Sequence, residues 1–247
     1  MTRHFGIIGN PLAQSFSAKH FNRKFADEQI DAEYSLYPLD SIEAFPALIE
    51  DLRAKGITLT GLNVTIPYTS AVIPYLTALD ETAREIGAVN VIRFLPDGTT
   101  VGYNTDALGF MDSVRPMLQP TDRRALILGT GGAAKACAYG LRKLGLTPTF
   151  VSRTPKENQL SYSGLSLTGY DVIVNCTPLG MYPETEKFPF LPYDELTQAQ
   201  FLFDCIYNPA ETVFLHQGAL RGCRTMNGNG MLLGQAKAAW QLWQIEK

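Results

Sequence analysis

Residues 126–134 read Leu-Ile-Leu-Gly-Thr-Gly-Gly-Ala-Ala, a glycine-rich stretch that follows an apolar run. The apolar residues 124–128 are predicted to form a buried strand, and residues 133–144, rich in helix formers, a helix that ends at Gly145. Glycines at a strand-to-helix turn let backbone N–H groups approach a phosphate, and the helix N-terminus favours negative charge. The context favours a dinucleotide-binding turn over a purely structural one. The candidate cofactor contacts are Gly129, Thr130, Gly131, Gly132 and Ala133.

The strand after this turn indicates which dinucleotide is bound. Residues 147–152 are predicted to form that strand, and Ser152, Arg153 and Thr154 stand at its end, with Lys156 close by. An acidic residue there would accept a hydrogen bond from the 2′-OH of NAD. The Arg153 guanidinium instead suits a 2′-phosphate, because it can bind two phosphate oxygens at once. The sequence therefore favours NADP over NAD, although a solvated surface charge would also explain Arg153.

Short apolar runs alternate with helical patterns along the rest of the chain, which is typical of an α/β fold with parallel strands. Strands are predicted at residues 5–8, 32–37, 58–66, 88–94, 99–103, 124–128, 147–152, 171–176 and 200–205, and helices at 17–29, 41–55, 104–118, 133–144 and 231–245. Ser41 is the predicted N-cap of the second helix. We expect a substrate domain at 1–103, a Rossmann-like NADP-binding domain at 104–225, and a C-terminal helix within 226–247 that returns to the first domain.

Composition excludes several classes of protein. The chain has 247 residues, of which 45% are hydrophobic and 18% charged, with a net charge of −3. These values are ordinary for a globular protein and argue against disorder and against nucleic-acid or membrane-surface partners. The four cysteines show no zinc-ligand spacing, so we expect reduced thiols and no metal. No signal peptide or membrane span is evident, which favours a cytoplasmic protein.

Several polar clusters interrupt apolar runs in the first domain. Ser15 and Ser17 lie between a strand and a helix, residues 61–67 close a strand, and residues 87–90 and 102–106 flank the predicted hairpin. Each cluster alone is most often a helix cap or a turn. Together they indicate a polar pocket for a small hydroxylated ligand.

These clusters, in this order and spacing, resemble the shikimate dehydrogenase family over nearly the whole chain. The shared motifs are Ser-x-Ser at 15–17, Gly-x-Asn-Val-Thr-x-Pro at 61–67, Gly-Ala-Val-Asn at 87–90, Gly-Tyr-Asn-Thr-Asp at 102–106, the glycine turn at 129–133, Arg-Thr at 153–154, Asn-Cys-Thr-Pro-Leu-Gly-Met at 175–181 and Gly-x-Gly-Met-Leu-x-x-Gln-Ala at 228–236. The resemblance implies an NADP-dependent oxidation of shikimate to 3-dehydroshikimate, with quinate as the alternative substrate, in a monomer or a homodimer.

The resemblance also assigns roles to single residues. Ser15 and Ser17 would bind the substrate carboxylate. The remaining substrate contacts would be Asn63, Thr65, Asn90, Asp106, Tyr207 and Gln235. Further contacts on the cofactor side would be Glu81, Thr177, Cys205 and Gly228.

One position departs from the family pattern. The family keeps a catalytic lysine two residues after the proline of residues 61–67, and this chain has Thr69 there. Threonine cannot accept a proton near pH 7, which leaves Asp106 as the candidate acid–base group. Lys19 and His20 are possible substitutes, although exposed residues in the first turn of a helix are the commoner explanation. Three hypotheses follow: a slow shikimate dehydrogenase, an enzyme that uses Asp106 and water, or a binding protein with little turnover.

Overall fold

A computed structural model describes residues 2–13 and 15–245. The chain divides into two compact units. One contains the residues up to Thr105 together with those from Ala236 onward, and the other is Asp106–Gln235. The expected boundary at 103 thus lies two residues before the observed division, and the return to the first unit occurs within the last helix, ten residues after the expected position at 226.

The first unit is built on a six-stranded sheet in the order β2-β1-β3-β5-β6-β4. Its elements are β1 (Arg3–Gly9), α1 (Phe16–Asp27), β2 (Ala32–Pro38), α2 (Phe45–Ala54), β3 (Leu59–Val64), β4 (Ala78–Leu79), α3 (Glu81–Ile86), β5 (Val91–Phe94) and β6 (Thr100–Tyr103). Strands β2, β1 and β3 are parallel, whereas β5 pairs antiparallel with both β3 and β6. The β5–β6 pair is the predicted hairpin.

The second unit contains a six-stranded sheet in the order β12-β11-β10-β7-β8-β9, and all of its pairings are parallel. Its elements are α4 (Asp106–Val114), β7 (Arg124–Leu128), α5 (Gly132–Lys143), β8 (Thr147–Ser152), β9 (Gln159–Ser161), β10 (Val172–Asn175), β11 (Phe201–Asp204), α6 (Val213–Ala219) and β12 (Arg224–Met226). The last helix, α7 (Asn229–Gln244), begins in this unit and ends in the first.

Short 3₁₀ turns account for the main differences from the predicted elements. They lie at Ile42–Ala44, Ile73–Tyr75, Arg115–Met117 and Tyr193–Glu195. The helix predicted at 41–55 therefore begins with a 3₁₀ turn, and the helix predicted at 104–118 ends in one. Ser41 occupies the N-cap position of the first of these turns, as predicted, but its hydroxyl donates to the Glu43 carboxylate and makes no capping bond with a backbone N–H.

Each sheet is covered by apolar side chains on both faces. In the second unit the central strands β7, β10 and β11 are buried along nearly their whole length, which is typical of parallel strands with helices on both sides. In the first unit an aromatic cluster packs Phe5, Phe21 and Phe25 against Trp243 from the end of α7. Within the described part of the chain, no helix has the length and apolar character needed to cross a membrane.

Candidate functional site

Ser15 carries the clearest sign of a ligand in the first unit. It occupies the N-cap position of α1, but its hydroxyl caps no backbone N–H. Its Oγ is one of two buried side-chain polar atoms without a hydrogen-bond partner in residues 2–13 and 15–245. A buried polar atom that is left unpaired costs about 1–3 kcal/mol, so native structures rarely keep one without a reason. The start of α1 is therefore suited to bind a polar ligand group.

A buried chain of side-chain hydrogen bonds runs from Ser17 into the sheet. Ser17 is 8% exposed and hydrogen bonds with Tyr34 on β2. The Tyr34 hydroxyl donates to Asn63 Oδ1 over 2.6 Å, and burial raises the pKa of this tyrosine well above its usual value. Tyr34 was not singled out from the sequence, because an aromatic residue in a strand is ordinarily part of the core. It positions Ser17 relative to the end of β3.

A second buried network fixes the amides expected to bind substrate. Asn63 Nδ2 donates to the backbone carbonyl of Asn90 over 3.1 Å. Asn90 Nδ2 donates to Thr105 Oγ1 over 3.0 Å, and Asn90 Oδ1 accepts from the Thr105 backbone N–H over 2.8 Å. The structure thus brings Asn63 and Asn90 together and adds Thr105, which sequence reasoning did not select. These contacts orient both amides before any ligand binds.

Backbone hydrogen bonds fix the segment that follows β3. The Thr65 N–H donates to Ile8 O, and the Thr69 carbonyl accepts from the Val89 N–H over 2.7 Å. Between them, the buried Tyr68 donates its hydroxyl to Leu39 O over 2.7 Å. The Thr69 side chain is half-buried, so the residue that is predicted to replace the family's lysine is fixed through its backbone and is not enclosed.

The two possible substitutes for that lysine lie on α1. Lys19 is exposed. His20 is half-buried and stacks on the Phe16 ring with centroids 5.1 Å apart. Burial lowers the pKa of His20, and the nearby positive charge of Lys24 lowers it further. His20 is therefore largely neutral at pH 7, a state in which an imidazole can accept a proton.

The other predicted substrate contacts are spread over separate elements. Asp106 is the first residue of α4 and is half-buried, directly after Thr105. Gln235 is 8% exposed on α7 and donates to Leu232 O over 3.0 Å, while Tyr207 is partly exposed and has a pKa raised by burial. Glu81 is the exposed first residue of α3. Their roles toward a ligand remain predictions.

The glycine turn has the geometry that a pyrophosphate requires. Gly129 has φ of +102°, a backbone conformation that L side chains rarely adopt, and its N–H donates to Val151 O over 2.9 Å. A Cβ added at Gly131 would meet nothing within 4 Å, so the approach to the turn is open. Gly131 is also the N-cap of α5 and offers no side chain to its N–H groups. No side chain at the N-cap thus competes for these N–H groups, and phosphate binding at this helix N-terminus stays a prediction.

The end of β8 presents the residues expected at the adenosine end of the cofactor. The Thr154 N–H donates to Ser152 Oγ over 3.2 Å, which folds the chain into a tight turn after the strand. Arg153, within this turn, is exposed. Its positive charge lies near Tyr162 and partly opposes the burial that raises the pKa of that tyrosine. Arg153 is thus in a position to bind a phosphate from solvent.

A buried polar network holds the ends of β10 and β11. Asn175 Oδ1 accepts from the Thr177 N–H over 3.0 Å and from the Thr177 hydroxyl over 2.7 Å. Asn175 Nδ2 donates to Asp204, which also accepts from the Thr212 hydroxyl. Burial raises the pKa of Asp204 to about 7. The sequence named Thr177 as a cofactor contact but missed Asn175, Asp204 and Thr212, which fix its position.

Gly228 approaches the backbone beside this network. A Cβ added there would lie 2.2 Å from the carbonyl oxygen of Cys205, so no larger residue fits without movement. Its N–H donates to Ile206 O over 3.0 Å. The structure therefore brings the predicted cofactor-side residues Cys205 and Gly228 into direct contact.

Comparisons with known proteins agree with this arrangement. A family model described as the shikimate dehydrogenase substrate binding domain matches residues 7–92. A relative from Shouchella clausii, named shikimate dehydrogenase (NADP(+)), is 39% identical over 265 residues, which cover 100% of this chain and 94% of the relative.

Two solved structures have the same fold. Shikimate 5-dehydrogenase of Thermus thermophilus, in complex with NADP(H) and shikimate, is 28% identical with a TM-score of 0.85, covering 98% of this chain and 94% of that one. Ligand-free 5-ketofructose reductase of Gluconobacter sp. strain CHM43 is 29% identical with a TM-score of 0.82, covering 99% and 93%. With a full-length relative at 39% identity, the chain belongs to the shikimate dehydrogenase family.

Proposed function

We propose that this protein is an NADP-dependent shikimate dehydrogenase, which reversibly oxidises shikimate to 3-dehydroshikimate on the route to aromatic amino acids. The observation that carries the proposal is the buried, unpaired hydroxyl of Ser15. Ser15 stands in the Ser-x-Ser motif, where the family binds a carboxylate. A carboxylate oxygen there would accept the hydrogen bond that the Ser15 hydroxyl lacks. The proposed reaction also requires a bound dinucleotide, and the open glycine turn leaves room for one.

The substrate-binding residues supply fixed polar groups for a trihydroxy carboxylate. Ser15 and Ser17 bind the carboxylate, and Asn63, Thr65 and Asn90 bind ring hydroxyls. The hydrogen bonds that fix Asn63 and Asn90 hold their amides in place, so little entropy is lost when a ligand binds. A site built this way rejects analogues that lack a hydroxyl, because its own buried polar groups would be left unpaired. Asp106, Tyr207 and Gln235 complete the proposed set of substrate contacts.

The cofactor residues divide by the part of NADP that they hold. The N–H groups around Gly131 and the N-terminus of α5 bind the pyrophosphate, with Thr130, Gly132 and Ala133 beside them. Arg153 binds the 2′-phosphate, with Ser152 and Thr154 shaping the turn around it. Thr177, Cys205 and Gly228, together with Glu81, are the remaining proposed contacts. When bound, NADP+ supplies the hydride acceptor for the oxidation.

The chain must then handle one proton. As the alcohol becomes a ketone, its C–H and O–H bonds break, and the hydroxyl proton needs an acceptor. With Thr69 in place of lysine, we assign this role to Asp106, which passes the proton on to solvent. Carboxylates are weak bases for an alcohol, because an ordinary aspartate has a pKa of about 4. We therefore expect turnover about 10²–10⁴-fold slower than with a well-placed base.

The first experiment measures NADPH formation from shikimate and NADP+ by the purified protein and by Ser15→Ala. Loss of a hydrogen bond to a charged carboxylate should raise KM for shikimate about 10- to 100-fold, because such a bond contributes about 1.5–3 kcal/mol. Without ligand, the melting temperature of Ser15→Ala should equal or exceed that of the parent, since the Ser15 hydroxyl has no hydrogen-bond partner among the residues that the structure describes.

The control is Ser35→Ala, which removes a hydroxyl that bonds Glu33 on β2. It should leave KM unchanged. If Ser15→Ala binds shikimate as well as the parent does, the carboxylate assignment is wrong. The KM of a substrate without a carboxylate, such as a ketose, would not change when Ser15 is replaced. For this reason 5-ketofructose is assayed beside shikimate and quinate.

The alternative from another class is a protein that binds NADP and shikimate with little turnover. It predicts ligand affinity, measured by calorimetry, without NADPH formation. Small molecules are the proposed partners in either case, in a cytoplasmic protein that is a monomer or a homodimer.

A further inference from the structure

Three of the four cysteines converge at one place in the second unit. Cys137 lies on α5, and Cys176 and Cys205 directly follow β10 and β11. Cys205 Sγ lies 3.5 Å from Cys176 Sγ and 3.8 Å from Cys137 Sγ, and all three sulfurs lie within 4.8 Å of one another. They are far apart in the sequence, which is why their spacing gave no sign of a metal site. The fourth cysteine, Cys223, is outside the group and donates to Thr197 O.

The spacing of the sulfurs matches that of thiolates around one cation. Metal–sulfur bonds to zinc-like ions are about 2.3 Å long, which places two sulfurs about 3.8–4.0 Å apart in tetrahedral or trigonal coordination. The two measured separations of 3.5 and 3.8 Å are close to this range. A cation could therefore bind with adjustments of a few tenths of an ångström in side-chain position.

The backbone that carries these thiols is rigid. The Cys176 N–H donates to Leu128 O over 3.0 Å, and the Cys205 N–H donates to Asn175 O over 2.9 Å, so both residues extend the ladder of the parallel sheet. Cys137 is fully buried within α5, whereas Cys176 and Cys205 are half-buried. The site is therefore formed before an ion arrives.

The three ligand atoms are all of one chemical kind, sulfur. Thiolates are the ligands that soft cations prefer in proteins. Across the described residues, no His, Asp or Glu joins the three sulfurs as a fourth ligand.

We propose that Cys137, Cys176 and Cys205 form a binding site for one soft d¹⁰ metal cation, held by three thiolates. Binding breaks each remaining S–H bond, releases its proton to solvent and forms a sulfur–metal bond, with no change in oxidation state. The site joins α5, whose N-terminus is the glycine turn, to the ends of β10 and β11. It does not depend on the proposed dehydrogenase activity.

The test titrates the reduced, full-length protein with Cd²⁺ under anaerobic conditions and records the ultraviolet charge-transfer absorption of cadmium thiolates. We expect saturation at one equivalent. Replacing a single ligand, in Cys137→Ala or Cys176→Ala, should weaken binding at least about ten-fold, since even outer-shell changes cost 10- to 100-fold. Cys223→Ala is the matched control and should bind as tightly as the parent. The affinities of Zn²⁺ and Cu⁺ are then measured by competition with chelators, which shows which of these two ions the site binds more tightly.

Three results would overturn the proposal. One is equal Cd²⁺ affinity in the parent and in a variant without all three cluster cysteines. Another is a loss of affinity in Cys223→Ala as large as in the cluster variants. The last is isolation of the anaerobic protein with two thiols already joined as a disulfide and no metal uptake. If a variant fails to fold, X-ray absorption of the parent's cadmium complex gives the number of sulfur atoms bound to the metal. Three sulfur neighbours would support the proposed site, and fewer would contradict it.

Discussion

Thr69 is the residue on which the rate of the proposed reaction depends. Its carbonyl is fixed by the Val89 N–H, and its side chain, which we predict to replace the family's lysine, is half-buried. Thr69→Lys should raise kcat for shikimate by about 10²-fold or more, because burial tunes a lysine toward neutral pH and lets it act as the base. Steady-state rates with shikimate and NADP+ provide the measurement.

Thr69→Val is the matched control for that variant. It has the shape of threonine but no hydroxyl, so a lower kcat would show that the native hydroxyl holds a water for Asp106. Equal rates for the parent and for Thr69→Lys would mean that another group already carries the proton. In that event His20, which is largely neutral and half-buried on α1, becomes the next residue to replace.

A second prediction at the residue scale concerns Arg153, which we propose selects NADP over NAD. It is exposed in the turn after β8. Arg153→Ala should lower the ratio of kcat/KM with NADP+ to kcat/KM with NAD+ by about 10- to 100-fold, since charge-assisted hydrogen bonds contribute about 1.5–3 kcal/mol. Lys156→Ala, three residues on, should change the ratio less. An unchanged ratio in Arg153→Ala would show that the 2′-phosphate lies elsewhere.

Single residues with a motif were the easiest part of the site to predict. Ser15, Asn63, Asn90 and the glycine turn stand in short patterns whose chemistry is evident from residue type. Tyr34, Asn175 and Asp204 were missed because the bonds Tyr34–Asn63 and Asn175–Asp204 each join residues 29 positions apart, which only the folded sheet brings together. The cysteine cluster was missed because its members are likewise far apart in the sequence.

At the scale of elements, β3 and α7 meet through an unusually close contact. A Cβ added at Gly61 would lie 2.1 Å from Trp243 Nε1, the atom that donates to Ile92 O over 3.2 Å. Gly61→Ala should therefore lower the free energy of unfolding by about 3 kcal/mol or more, since it overpacks the core and breaks a buried hydrogen bond. Chemical denaturation measures this loss.

A double-mutant cycle tests the cause of that loss. Trp243→Phe removes the pyrrole ring that the new methyl group would strike, so Gly61→Ala should cost less in the Trp243→Phe background. An identical cost in both backgrounds would show that the contact with α7 is not responsible.

Most of the helices and strands were predicted from the sequence, and five short elements were not. The strand at Thr147–Ser152 was located at its observed bounds, and the helix after the glycine turn to within one residue at each end. Helices α3 and α6 and strands β4, β9 and β12 were missed. The two helices have six and seven residues, and the three strands have two or three. At these lengths neither kind of element shows a clear hydrophobic period, so tertiary contacts determine their structure.

For the whole molecule, Asp204 should make stability depend on pH. Its folded pKa of about 7 lies above the ordinary value of 3.8, so the folded state keeps a proton that the unfolded chain has already released. The stabilisation is complete at low pH and is lost as pH rises through 7. We expect Asp204 alone to lower the free energy of unfolding by about 1 kcal/mol per pH unit between pH 4.5 and 6.

Asp204→Asn should flatten this slope, as measured by denaturation at several pH values. The window ends at pH 6 because the Cys176 thiol begins to ionise there, and its lowered pKa acts in the opposite direction. If Asp204→Asn retains the parent's slope below pH 6, the carboxyl is ionised in the folded protein and its three hydrogen-bond donors outweigh burial.

The return of α7 to the first unit has a practical consequence for spectroscopy. The sequence contains two tryptophans, Trp240 and Trp243, and both lie in the aromatic cluster of that unit. Asp106–Gln235 contains none. Intrinsic indole fluorescence therefore reports only on the unit that carries Ser15, and the dinucleotide-binding unit contributes tyrosine emission alone. A fluorescence unfolding curve that differs from one followed by circular dichroism would separate the unfolding of the two units without any label.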